Sequence, residues 1–147
     1  MFRHILIPTD GSPVAAKAVK AGIAFARETG ARVTGYCAVE PVSAQIYGEG
    51  YMITGRSVAL LEKKARRAAE RHVAGIAKLA KAAGVAFHGH VSRADSPHAG
   101  IIAAARSKHC DLIFMASHGR RGIAGLIMGS VTHKVLTHSK IPVLVYR

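Results

Sequence analysis

Two short segments carry residue types that could hold a phosphorylated ligand. Thr9-Asp10-Gly11-Ser12 follows one apolar run, and Ser117-His118-Gly119-Arg120-Arg121-Gly122 follows another. Both are small, polar and glycine-bearing. Gly119 and Gly122 permit close backbone approach and positive φ. Gly129-Ser130 stands where a helix should begin, and the free N–H groups and dipole of a helix start suit an anion. Arg120 and Arg121 add positive charge nearby. Asp10 is the odd member: an acid among such groups suits a ribose hydroxyl or a metal ion rather than a phosphate. Alone, Asp10-Gly11 is only a turn and Gly119 only a loop glycine. They become a site if the fold brings them together.

The hydrophobic pattern says that it does. Ile5-Leu6-Ile7, ending at Pro8, reads as a first strand. Ser12 is a suitable N-cap, with Pro13 at the first helical position, and Gly30 ends that helix. Val33 to Val39 reads as a second strand. Residues 40 to 55 show no period and form the longest loop. A long helix is expected from about 56 to 83, with Val58, Leu61, Ala65, Ala68, His72, Ile76 and Leu79 as its apolar stripe. A third strand spans 85 to 92, and Ser96-Pro97 opens a helix that runs to about Lys108. Leu112 to Met115 is a fourth strand, 118 to 128 a loop, 130 to 138 a helix and 142 to 146 the last strand. Strict alternation implies an α/β fold with a parallel sheet and helices on both faces. Strands 1 and 4 are the most apolar, as central strands should be, and strand 3 carries His88, His90 and Ser92 on one side, as an edge can. These points give the order 3-2-1-4-5. In such a sheet a ligand binds beyond the carboxyl ends of the strands where the order reverses, between strands 1 and 4. The two polar segments meet there. Strand 5 is an apolar edge, which invites pairing with a second copy of the chain.

Composition narrows the classes. The 147 residues suit one domain, 1–147. No apolar run approaches the ~20 residues of a membrane span, and the N-terminal run is too short for a signal peptide, so the expected location is cytoplasmic. Cys37 and Cys110 form no CxxC pair and read as partly buried thiols. The net charge of +13 favours anionic partners. Eight Lys/Arg against two Glu lie between Arg56 and Lys81, which reads as a solvated helix face. Aromatics are scarce, so stacking platforms for single-stranded nucleic acid are poorly supplied, and a nucleic-acid partner is not expected. His88 and His90 share a strand face but lack further ligands, so no metal site is assigned. His72 sits on the apolar stripe and reads as a core or boundary residue rather than a ligand. The chain has no GxxxxGK[ST], no GxGxxG after strand 1 and no GxSxG. Ser117 and His118, adjacent in sequence, do not make a nucleophile and base, so no catalytic residue is assigned.

Ala116-Ser117-His118-Gly119, nine residues, then Gly129-Ser130 resembles the signature of the universal stress protein family, Gly-x-x-Gly, nine residues, Gly-Ser/Thr. The opening Ile-Leu-Ile-Pro-Thr-Asp-Gly-Ser and the ending Pro-Val-Leu-Val are similar too. The resemblance implies a Rossmann-like (adenine nucleotide alpha-hydrolase-like) domain of five parallel strands, dimeric through the last strand. It implies an adenine nucleotide, ATP or AMP, with Mg2+ accompanying a triphosphate and at most slow hydrolysis. Pro8, Thr9 and Asp10 would line the adenine and ribose side, and Val39 would offer backbone contacts to adenine. Ser117, His118, Gly119, Arg120, Gly129, Ser130 and Val131 would hold ribose and phosphates. The sequence departs at the first signature glycine, Ala116, whose methyl narrows the approach. A member that holds no nucleotide and acts through a protein partner is the alternative.

Overall fold

Strands and helices alternate through residues 1–42, 55–119 and 128–147, the residues described by this computed structural model. They are β1 (His4–Pro8), α1 (Pro13–Thr29), β2 (Arg32–Val39), α2 (Gly55–Ala82), β3 (Phe87–Arg93), α3 (Pro97–Ser107), β4 (Leu112–Ala116), α4 (Ser130–His138) and β5 (Val143–Tyr146). All neighbouring strands pair in parallel, in the order β3-β2-β1-β4-β5. Each boundary lies within about two residues of the sequence expectation. Most of the 40 to 55 loop and of the 118 to 128 loop lie outside the described residues.

Local chemistry explains the boundaries. The Ser12 hydroxyl accepts the Ala15 N–H at 3.2 Å and caps α1. Gly30, at φ 68°, ends α1 in the left-handed conformation that glycine adopts without cost. β1 and β4 are buried at all of their residues, as strands flanked on both sides and covered on both faces must be. Their side chains alternate between two cores. Ile5, Ile7 and Phe114 pack with α1 and α2 through Val19, Ile23 and Ile76. Leu6, Ile113 and Met115 pack with α3 and α4 through Ile101 and Val135.

The long helix corrects the sequence reading. Its buried residues are Ala69, Val73, Ile76 and Ala80, so the core-facing side is rotated from the expected stripe. Leu61 and Leu79 are exposed and His72 is half-buried at the rim. Small Ala69 and Ala80 let the helix axis approach β2 and β3 closely, which larger residues on the expected side would prevent. The edge expectation for β3 holds: His88 is exposed, and the half-buried His90 ring stacks on Tyr36 with centroids 5.6 Å apart. Among the described residues no group of three or more His, Cys, Asp or Glu could hold a metal ion. Both cysteines are buried, and burial pushes the Cys110 thiol up to about 11. No described helix is long and apolar enough to cross a membrane.

Tyr36, fully buried, joins the two layers above β2. Its hydroxyl lies 2.9 Å from the Ser92 hydroxyl, and α3 passes over it at Gly100. A Cβ on Gly100 would run into the tyrosine hydroxyl and lie 2.7 Å from the Ala94 Cβ. Gly100→Ala is therefore expected to lower stability by about 1–3 kcal/mol, the usual cost of overpacking, measured by urea unfolding. An unchanged midpoint would show that α3 is not seated against Tyr36.

Candidate functional site

The first half of the site is made by the end of β1. The Thr9 N–H reaches the Tyr36 carbonyl at 2.8 Å and carries the ladder one residue past Pro8. The chain then turns on its own side chains. The Thr9 hydroxyl accepts the Gly11 N–H at 3.1 Å, and the Asp10 Oδ1 accepts the Ser12 N–H at 2.9 Å. Gly11 takes φ 77°, and a Cβ there would collide with the His72 imidazole of α2. The turn is thus set by conformation from within and by His72 from below.

The second half is made by β4 and α4. Ala116 pairs with Tyr146 of β5 in the ladder, and the Ser117 N–H donates to the Tyr146 carbonyl at 2.9 Å. The Gly129 N–H donates to the Ser117 carbonyl at 2.7 Å, and the Thr132 hydroxyl donates to the Ala116 carbonyl at 2.9 Å. These two bonds fasten the start of α4 to the end of β4. A Cβ on Gly129 would come within 3.3 Å of the His118 Cα and the Ser117 carbonyl oxygen, so glycine is what lets the two backbones meet. Gly129 is the N-cap and brings no capping side chain. The first-turn N–H groups of α4 therefore have no acceptor within the helix or at its cap.

The halves meet across the switch point. The Asp10 Oδ2 lies 2.6 Å from where a Cβ of Gly119 would be. Around this contact opens a cleft of about 430 Å³. Pro8, Thr9, Asp10, His118, Gly119, Gly129, Ser130 and Val131 all line it, as the sequence reading requires. Ser117 does not. It is buried beneath, with its hydroxyl 2.9 Å from His118 Nδ1, and so holds the loop rather than facing the cleft. Val39 packs toward Cys37, Ala69 and Val73, on the α2 side, and its carbonyl accepts the Ala94 N–H at 3.1 Å. Its neighbours Ala38 and Glu40 line the cleft instead. Arg120, with Arg121 and Gly122, lies outside the described residues.

Sequence reasoning missed several polar residues of the cleft, among them Glu40, Asp95, Ser96, His98 and Lys134. The carboxyl-end rule could have found the first four, because they follow β2 and β3 at the same end of the sheet. The charges are sorted. Asp10, Glu40 and Asp95 follow the ends of β1, β2 and β3, whereas Lys134 belongs to α4, whose start has no side-chain cap. Partial burial, then the Lys134 ammonium and His138, hold the His98 imidazole below its usual pKa. One side of the cleft can thus accept hydrogen bonds from hydroxyls and amines, and the other can take an anion.

Known proteins carry the same frame. The model of the universal stress protein family matches residues 1–147. A universal stress protein of Thermus aquaticus is 32% identical over 153 residues, covering all of both chains. Universal stress protein MJ0531 of Methanocaldococcus jannaschii is 30% identical over 150 residues, covering all of this chain and 83% of that one. The solved structure of MJ0577, from the same organism, superposes with a TM-score of 0.81 at 28% identity over 99% of this chain and 95% of that one. Two more distant structures share the fold. One is a universal stress protein in complex with cAMP (TM-score 0.67, 23% identity, 99% of this chain and 97% of that one). The other is a universal stress protein of Archaeoglobus fulgidus in complex with dAMP (TM-score 0.63, 15% identity, 100% of this chain and 98% of that one).

The Gly11–His72 contact is testable by itself. Gly11→Ala meets two penalties, the left-handed backbone at about 1–2 kcal/mol and the collision with His72. In a His72→Ala background only the first remains, so the two substitutions should be non-additive in a double-mutant cycle. Equal costs of Gly11→Ala in both backgrounds would mean that His72 does not buttress the turn.

Proposed function

The chain belongs to the universal stress protein family, and from that premise we propose that it binds an adenine nucleotide, ATP or AMP, in the cleft between β1 and β4. The observation that carries the reading is the approach of Asp10 to Gly119 opposite the uncapped start of α4. The relatives in complex with cAMP and dAMP support it.

The residues divide the work by charge. Asp10, on the strand side, accepts hydrogen bonds from the ribose hydroxyls. Gly119, Ser130 and Val131 present backbone N–H groups to the phosphates, with Arg120 and Lys134 adding positive charge. Adenine lies toward Pro8 and the end of β2, where Val39 can offer backbone contacts through the lone pair its Ala94 bond leaves open. A cleft of about 430 Å³ falls within the range of small-molecule sites. Mg2+ would come with the triphosphate, held by phosphate oxygens and one carboxylate rather than by a protein cage. Ala116 fits this reading. It sits in the β4 ladder, and His109 alone among described non-glycine residues takes positive φ, so the position makes no demand that only glycine could meet.

The assembly is a homodimer through residues 142 to 146. β5 is the sheet edge; Val143, Leu144 and Val145 are half-buried and Tyr146 is 39% exposed. Pairing two such edges would satisfy unpaired backbone groups and cover apolar surface. Nucleotide occupancy would then serve a stress-response module of residues 1–147, with at most slow hydrolysis and a protein partner reading the occupied state.

Two substitutions test the site. Gly119→Val crowds the phosphate side and displaces Asp10. Ser130→Ala removes a hydroxyl whose bond to a charged group is worth about 1.5–3 kcal/mol. Each should weaken ATP binding by about tenfold or more in calorimetric titration. Unchanged affinity in both would sink the assignment of this loop.

A further inference from the structure

We propose that the outer face of α2 is a docking stripe for the phosphate backbone of double-stranded nucleic acid. The inference is independent of the adenine-nucleotide reading. It rests on where the helix puts its charge. α2 has 28 residues, and its buried side is Ala69, Val73, Ile76 and Ala80. At 3.6 residues per turn, Arg56, Lys63, Lys64, Arg67, Arg71, Lys78 and Lys81 fall within an arc of about 100° on the opposite side. All seven are exposed. No acid lies in that arc. The helix's two acids, Glu62 and Glu70, lie outside it and are engaged at 3.1 Å by Arg93 and Arg66. Among the described residues none of the seven takes part in an ion pair.

Such a row is costly for the helix alone. Lys63–Arg67 and Arg67–Arg71 are like charges four apart, and each such pair disfavours the helix by a few tenths of a kcal/mol. A counter-anion removes the repulsion. The row spans about 37 Å at 1.5 Å per residue, close to one turn of the duplex at about 34–36 Å. The stripe carries no aromatic, so it offers nothing on which a single strand could stack. Nor can the helix lie in a membrane interface, because that needs its apolar side to enter the lipid, and that side is already packed on β2 and β3. A rigid, regularly spaced polyanion remains, recognised by charge and without regard to base sequence.

The test is anisotropy of the full chain with a labelled random-sequence duplex of about 20 base pairs across a salt series. The logarithm of affinity should fall steeply with the logarithm of salt. Lys64→Gln/Arg67→Gln/Arg71→Gln should reduce the slope by about 2.7, at about 0.9 for each phosphate no longer neutralised. Arg3→Gln/Arg32→Gln/Arg106→Gln removes equal charge from exposed positions off the stripe and should leave the slope unchanged. Circular dichroism melting should show both triples folded, and the single substitutions Arg67→Gln and Arg71→Gln should each give about a third of the effect. Equal slope changes in the two triples, or no duplex binding, would overturn the proposal. So would stripe-dependent binding to phosphatidylserine vesicles with none to the duplex, which would assign the face to a membrane surface.

Discussion

Asp10 stands at the end of β1 with one carboxylate oxygen holding the Ser12 N–H and the other lying where a side chain on Gly119 would begin. Everything else about the cleft follows from keeping that approach open. β1 and β4 must be neighbours, so the order reverses between them and their loops diverge to opposite faces. The β4 loop must return to the sheet, which the Gly129 bond to Ser117 and the Thr132 bond to Ala116 accomplish. The β1 loop must not spread, which its two side-chain turns and the His72 ring prevent. The result is a gap with carboxylates on one wall and an open helix start on the other.

Much of this was legible in the residues. Ser12-Pro13 and Gly30 mark the ends of α1, and the structure shows the cap bond and the left-handed glycine that those residue types imply. The apolarity of Leu112-Ile113-Phe114-Met115 identified β4 as central, and that placement brought Gly119 to Asp10. Less legible was what depends on rotation and depth. The face of α2 toward the sheet is hard to read because alanines at 69 and 80 are weak hydrophobic signals, yet they permit close approach. Ser117 and Val39 carry the right residue types but fall beneath the cleft and behind it, since strand alternation and a tight turn decide which side a side chain faces. Glu40, Asp95 and His98 belong to no short motif and are gathered only by the common end of the strands.

α2 shows how one helix can serve two ends. Its inner side supplies Val73 and Ile76 to the core and sets His72 against Gly11. Its outer side carries the unneutralised charge that makes the chain so basic. Arg71 and His72 are adjacent in sequence and lie about 100° apart around the helix, so the turn that positions Asp10 and the charged surface share one rigid element. The Asp10 turn therefore rests on the same helix that presents the positive charge to solvent.

The central claim is that the cleft takes an adenine nucleotide, and calorimetric titration of the purified chain with ATP, AMP and GTP, with and without Mg2+, tests it most directly. The account predicts ATP binding near one per chain, with GTP much weaker. No heat with any of the three, together with no nucleotide-dependent shift in melting temperature, would contradict it and leave a fold that acts through a protein partner instead.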